Sequence, residues 1–285
     1  MASSAAGENR PAIRSGLRIG WFSSGRGLGS QALLRDICRE IDAGLPVEIA
    51  YLFCNRERGE HGPADQLMDL AEVRGIPLVT LSSTRFRQSV GGAVARAGQP
   101  LPSWRRDYDE AVYELLEPFG PDLAVLAGYM LIAPELCRRM NLLNLHPAAP
   151  GGPAGIWQDV IWQLIAERAA ESGVTIFRAA AELDAGPPLG YCRCSLRGGG
   201  IDQLWSAIEG RDLENLRAEE GEALPLFQEI RRRGVVRESP LIVETLGALA
   251  SGTIALRDGT VVDAGGAPIA GLDLSEAVER RIPEA

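Results

Sequence analysis

Leu17-Arg18-Ile19-Gly20-Trp21-Phe22-Ser23-Ser24-Gly25-Arg26-Gly27-Leu28-Gly29-Ser30 is an apolar run that ends in three alternating glycines. The residues after it, Gln31 to Ala43, place Leu33, Leu34, Ile37 and Ile41 at helical spacing. The order is therefore strand, glycine loop, helix, in which backbone N–H groups and a helix N-terminus together make a cradle for phosphate. The spacing is Gly-x-Gly-x-Gly rather than the dinucleotide Gly-x-Gly-x-x-Gly, and no lysine follows as a P-loop requires. By itself the pattern also fits a tight strand-to-helix turn without a ligand.

The same alternation continues down the chain. Strands are expected at Val47 to Phe53 and Ile76 to Leu81, helices at Gln66 to Arg74 and Asp107 to Leu116, and a buried strand at Leu123 to Ala127. Ser82 to Arg106 reads as a long polar connection, either a lid or a mobile segment. This alternation predicts an α/β protein with a mostly parallel, doubly wound, Rossmann-like sheet.

Leu142-Leu143-Asn144-Leu145-His146-Pro147 carries the chemistry. On an extended backbone residues i and i+2 share a face, so Asn144 and His146 enter one cleft together. Pro147 cannot donate to a ladder and puts His146 at the strand's C-terminal end, where open parallel sheets place ligands. A Gly- and Pro-rich loop follows to Gly155, then a helix over Ile156 to Ala170 and a strand over Gly173 to Ala179. Glu182 to Pro188 is a sharp turn holding Asp184. Asn144, His146 and Asp184 offer an amide donor, an imidazole and a carboxylate, a set suited to acyl-type transfer through an oxyanion. Each also has an ordinary structural role, as a cap or a turn former.

Length and composition narrow the class. With 285 residues, 46% hydrophobic and 24% charged, the chain can bury a large core. A net charge of -9 argues against a nucleic-acid surface, and no stretch is long and apolar enough for a membrane span. Five cysteines without a regular framework read as free thiols of a reducing cytoplasm, and Cys192-Arg193-Cys194 lacks the second pair that zinc needs. No metal is expected. The expected organisation is a flexible leader over 1–16, the α/β domain over 17–200, and a C-terminal extension over 201–285. In the extension, Ile201 to Arg233 is broadly helical, Ser239 to Ala250 forms a helix covering the sheet, and Ser251 to Ile269 forms a hairpin on Asp258-Gly259.

Three stretches occur together and in order: Asn144-Leu145-His146-Pro147, Glu182-Leu183-Asp184-Ala185-Gly186-Pro187 and Leu126-Ala127-Gly128-Tyr129-Met130. Through them, and through Ser24-Gly25-Arg26-Gly27, the chain resembles the folate-dependent formyltransferases, and within them the phosphoribosylglycinamide formyltransferases of purine synthesis. The resemblance runs from Leu17 to Cys194 and resumes over Glu238 to Thr253. It implies 10-formyltetrahydrofolate as co-substrate and the amine of glycinamide ribonucleotide as acceptor. Asn144 and His146 would hold the oxyanion and Asp184 would serve the proton transfer. The phosphate would meet Gly25, Arg26, Gly27, Leu28, Gly29 and Ser30, and the folate would meet Arg105, Met130, Leu131, Ile132 and Ala133 with the loop from Ala179. It implies small-molecule partners and leaves a homodimer open.

This chain departs from the family pattern at four places. A shorter, glycine-rich Ala148-Ala149-Pro150-Gly151-Gly152 replaces the usual Ser-Leu-Leu-Pro after the histidine, Phe177 replaces a histidine, Leu131 replaces an arginine, and Gly210 to Arg237 is a charged insertion. The alternatives are formyl transfer to a nucleotide amino sugar, hydrolysis of the formyl donor, and a folate- or nucleotide-binding protein without turnover. Transfer to methionyl-tRNA and a nicotinamide dehydrogenase fit less well, for want of a basic RNA-binding extension and of the dinucleotide glycine spacing.

Overall fold

The computed structural model describes residues 16–95, 99–180 and 186–283. The first strand, β1 (Leu17–Ser23), passes through the glycine loop into α1 (Leu28–Asp42), and β2 (Val47–Cys54) returns parallel to β1. The helix α2 (Gly62–Val73) and the short β3 (Leu78–Thr80) complete that half. After α3 (Ser83–Ser89) and α4 (Trp104–Leu116), the chain crosses to the other side of β1 with β4 (Leu123–Leu126), α5 (Pro134–Arg139) and β5 (Leu142–His146). The strands β1 and β4 are therefore neighbours whose connections run in opposite directions. That is the topological switch point of a doubly wound sheet, where a crevice opens at the carboxyl ends.

Beyond β5 the sheet changes sense. The helix α6 (Trp157–Ala166) and a turn at Glu167–Ala170 lead into β6 (Glu171–Arg178), which pairs antiparallel with β5. Arg168 takes a positive φ of 50° in that turn. The strand β7 (Pro188–Ser195) reverses again, and the distant β10 (Leu272–Asp273) adds parallel to its edge. The eight strands lie in the order β10-β7-β6-β5-β4-β1-β2-β3.

Two apolar layers sandwich the sheet. Trp21, Ile19, Leu52, Val174 and Ile176 face α1, α2 and the second half of α9 (Pro225–Ala250), whereas Phe22, Phe53, Leu126 and Leu142 face α4 and α5. A third cluster joins α6, α7 (Gly200–Ala207), α8 (Leu213–Glu219) and the first half of α9. The hairpin β8 (Ile254–Arg257) and β9 (Thr260–Asp263) turns on Asp258 and Gly259, both with positive φ, as the two-residue turn requires. The short α10 (Ser275–Arg281) closes the chain against α9 and β7. No helix among the described residues is long and apolar enough to cross a membrane.

Three sequence expectations change. Ser82 to Arg106 is not a featureless connection: Ser82 caps α3 through its hydroxyl, and α4 begins at Trp104 rather than Asp107. The strand β7 was not foreseen, although Leu189, Cys192 and Cys194 point inward around the half-buried Arg193. The insertion and the terminal helix are joined, because α9 runs unbroken over 26 residues through Pro240. The leader lies outside the described residues except at Gly16.

Gly25 anchors the glycine loop on α2. Its φ is +57°, and a Cβ there would lie 2.7 Å from the Cα of Ala64. Gly25→Ala is therefore expected to lower stability by about 1–3 kcal/mol, from backbone strain and the clash. An unchanged denaturation midpoint would contradict that packing.

Candidate functional site

The glycine loop and the segment after β4 are tied to each other. Ser24 donates its N–H to the Gly128 carbonyl at 3.1 Å, and its hydroxyl accepts the Met130 N–H at 3.0 Å. Gly128, at φ +71°, lets the chain pass within 3.0 Å of the Ser30 hydroxyl, measured from where a Cβ would sit. Gly27 and Gly29 instead face open space, with no heavy atom within 4 Å of an added Cβ. No acidic residue occupies the first turn of α1, and no side chain caps it, so its leading N–H groups are unspent. Arg26 is exposed at the tip, Leu28 is 75% exposed, and the Arg56 guanidinium donates to the Ser24 carbonyl from the end of β2.

The segment that the resemblance assigns to folate forms the other wall. Met130 and Ile132 are 52% and 45% exposed, Leu131 is half-buried, and Ala133 is buried in a cluster with Tyr129 and Ala179. Exposed apolar side chains on a wall of a cleft favour a flat, apolar ring system over water. Arg105 lies beneath this segment rather than in the opening. It is 4% exposed, and its Nη2 donates to the Ile132 carbonyl at 2.5 Å.

Asn144 and His146 sit on β5, beside β4, with Asn144 in register with Leu126 on one side and Phe177 on the other. The half-buried Asn144 carboxamide makes no hydrogen bond with a described side chain or backbone group, so its donors remain available. His146 is nearly enclosed. Its Nε2 is 2.8 Å from the Pro153 carbonyl, and its ring packs edge-to-face on Phe177 with centroids 6.2 Å apart. The loop that departs from the family pattern is what holds this imidazole. Gly152 donates to the Ala149 carbonyl at 2.9 Å across Pro150-Gly151, with Gly151 at φ +80°, which is the geometry of a type II turn. Thr175 on β6 ties the same loop down through the Ala148 carbonyl at 2.7 Å.

A cavity of about 160 Å³ lies between this loop, His146, Thr175, Phe177 and Gly186. Asn144 shares the strand face but does not line that cavity. Asp184 lies outside the described residues, as does most of its turn. The described end of the turn shows why a glycine stands there, since a Cβ at Gly186 would fall 1.6 Å from the Arg178 carbonyl. Sequence reasoning missed Thr175, the Pro153 carbonyl and Asp109, the last a buried carboxylate on α4 whose Oδ2 accepts the Glu135 N–H at 3.3 Å. Among the described residues no cluster of metal-ligating side chains occurs, and all five cysteines are free and buried.

Residues 17–197 match the family model described as formyl transferase. The chain belongs to the formyl transferase family. Its chemistry is one-carbon transfer with formyltetrahydrofolate as the family's formyl donor. Among solved structures it is similar to the phosphoribosylglycinamide formyltransferase of Coxiella burnetii, with 20% identity, 90% of this chain and 99% of that one covered, and a TM-score of 0.61. The glycinamide ribonucleotide transformylase 1 of Symbiobacterium toebii is 21% identical over 90% and 98%, at 0.59. A formyltetrahydrofolate deformylase of Pseudomonas syringae pv. tomato is 19% identical over 87% and 66%, at 0.56. At these identities the likeness shows the formyltransferase fold. No curated protein matches the sequence.

A carbonyl oxygen only accepts hydrogen bonds, so the contact with Pro153 requires a proton on His146 Nε2. With only two histidines in the chain, nitrogen-15 NMR resolves them directly. The expected result is a protonated, NH-type Nε2 on His146 at neutral pH. A bare Nε2 with the proton on Nδ1 alone would contradict this placement.

Proposed function

We propose that the protein transfers the formyl group of 10-formyltetrahydrofolate to the amine of a ribose phosphate, with glycinamide ribonucleotide as the acceptor. One observation carries this reading: the open glycine loop and the apolar 130–133 segment are joined at the switch point, next to Asn144 and His146. A phosphorylated amine held by the amides of Gly25 to Ser30 and a pterin lying against Met130 to Ala133 would bring nucleophile and formyl carbon together over β5.

In that complex the amine lone pair attacks the formyl carbon and the carbonyl oxygen becomes an oxyanion. Asn144 donates an amide N–H to it, and His146, held by the Pro153 carbonyl, supplies a nearby imidazole N–H or positive charge. Asp184, by the family pattern, takes the proton from the attacking nitrogen. Breaking of the carbon–N10 bond then releases tetrahydrofolate, with the proton passed to N10. Residues 17–200 form the catalytic part in this account, and 201–285 serve as a buttress packed on the same sheet.

Loss of 10-formyltetrahydrofolate with and without glycinamide ribonucleotide tests the reading. Amine-dependent loss is the expected result. Equal loss without any amine would make the protein a hydrolase of the formyl donor, and no loss under either condition would remove catalysis on this pair of substrates.

A further inference from the structure

The backbone from Ala127 to Ala133 belongs to no helix or strand, and the helix it enters, α5, has only six residues. Its position therefore depends on bonds from elsewhere. Its first half is held by β1 and the glycine loop, at Ala127 by Phe22 and at Gly128 and Met130 by Ser24, and two further ties come from one turn of α4. Arg105 donates to the Ile132 carbonyl at 2.5 Å, and Asp109, one turn further along, accepts the Glu135 N–H at the start of α5 at 3.3 Å. The two α4 side chains are 3.8 Å apart, Nη2 to Oδ1, and are 4% and 0% exposed.

We infer that Asp109 is a positioning residue of the cleft, holding the 130–135 segment in place through the Glu135 amide and through its charge on Arg105. The inference rests on the reading of Met130 to Ala133 as the folate wall. A neutral cap would satisfy the Glu135 amide equally well. A carboxylate is needed only because the guanidinium that grips the Ile132 carbonyl is buried and requires a counter-charge. The Arg105 side chain is further confined by the Trp104 and Tyr108 rings, at 5.3 and 6.0 Å from its guanidinium carbon. Its Nε and the Asp109 Oδ1 have no hydrogen-bond partner among the described residues. The arrangement thus leaves hydrogen-bonding capacity unused while fixing the orientation of one carbonyl at the cleft wall.

Asp109→Asn separates these roles, because an amide oxygen still accepts the Glu135 N–H but carries no charge for Arg105. Calorimetric titration with 5-formyltetrahydrofolate should show affinity reduced roughly tenfold or more, as expected when a contact surface shifts by a fraction of an ångström. Affinity for ribose 5-phosphate should stay within about twofold of the wild type. A variant that melts cooperatively and binds 5-formyltetrahydrofolate as the wild type does would overturn the proposal. Failure of the wild type to bind 5-formyltetrahydrofolate would instead overturn the folate reading, and this proposal with it.

If Asp109→Asn does not fold, the same titration is run against pH on a His61→Gln/His146→Gln protein. Burial pushes the Asp109 carboxyl up to about 6, with Arg105 opposing. Tyr108 on α4, Tyr129 in the segment, and Glu135 and Cys137 on α5 also face it. The charge on Asp109 is present above that value and is lost as pH falls through it, so folate affinity should drop between pH 7 and 5. Constant affinity across that range would overturn the proposal.

Discussion

Ser24 makes two bonds to the segment after β4, donating its N–H to the Gly128 carbonyl and accepting the Met130 N–H on its hydroxyl. The rest of the site depends on this pair of contacts. The strands β1 and β4 are neighbours only because the chain reverses its winding between them, and the crevice this creates would be two independent loops without a cross-tie. With it, the glycine loop and the apolar wall keep one spacing. The left-handed conformation of Gly25 fixes the loop against α2, and that of Gly128 fixes the wall against Ser30. Proximity catalysis needs this kind of rigidity, since reactants held by loops that drift apart lose most of the rate gained from orientation.

The loop after β5 helps to hold the imidazole. A Pro150-Gly151 turn and Phe177 flank it. The turn presents the Pro153 carbonyl to Nε2, and the phenyl ring closes the imidazole edge-to-face. Such an aromatic contact contributes about 0.5–1.5 kcal/mol beyond area burial and has no proton to exchange, so it fixes the ring without competing in proton transfer. Beneath the apolar 130–133 wall, the buried Arg105 and Asp109 are in the opposite situation. Removing one member of such a pair costs about 3–5 kcal/mol because the other is left charged in the interior.

Much of this was legible in the sequence, and the parts that were not have identifiable causes. The glycine loop, the parallel strands to β5 and the Asp258-Gly259 hairpin are local signals, with glycine spacing, apolar runs and turn chemistry each pointing the same way. The reversal of β6 was not legible, because a strand–helix–strand pattern with a short loop after the helix reads as a parallel crossover. The strand β7 carries a period-2 signal only in Gly190, Cys192 and Cys194, too short and too poor in large apolar residues to mark a strand. The continuity of α9 was obscured by Pro240, ordinarily a helix stop. Here the helix carries on through it, because Leu226, Phe227 and Ile230 are buried with α6 to α8 while Leu241, Ile242 and Leu246 are buried on the sheet. Asn144 and His146 were visible as a pair on one strand face. Asp109 was not, since a carboxylate one turn from an arginine reads as a surface pair until its burial is known.

On the proposed function, the two walls of the switch-point crevice hold two different ligands at the same time. Calorimetric titration of glycinamide ribonucleotide into protein saturated with 5-formyltetrahydrofolate tests it most directly. The account predicts one equivalent of each bound together, with neither displacing the other. Competition between the two for a single site would contradict it.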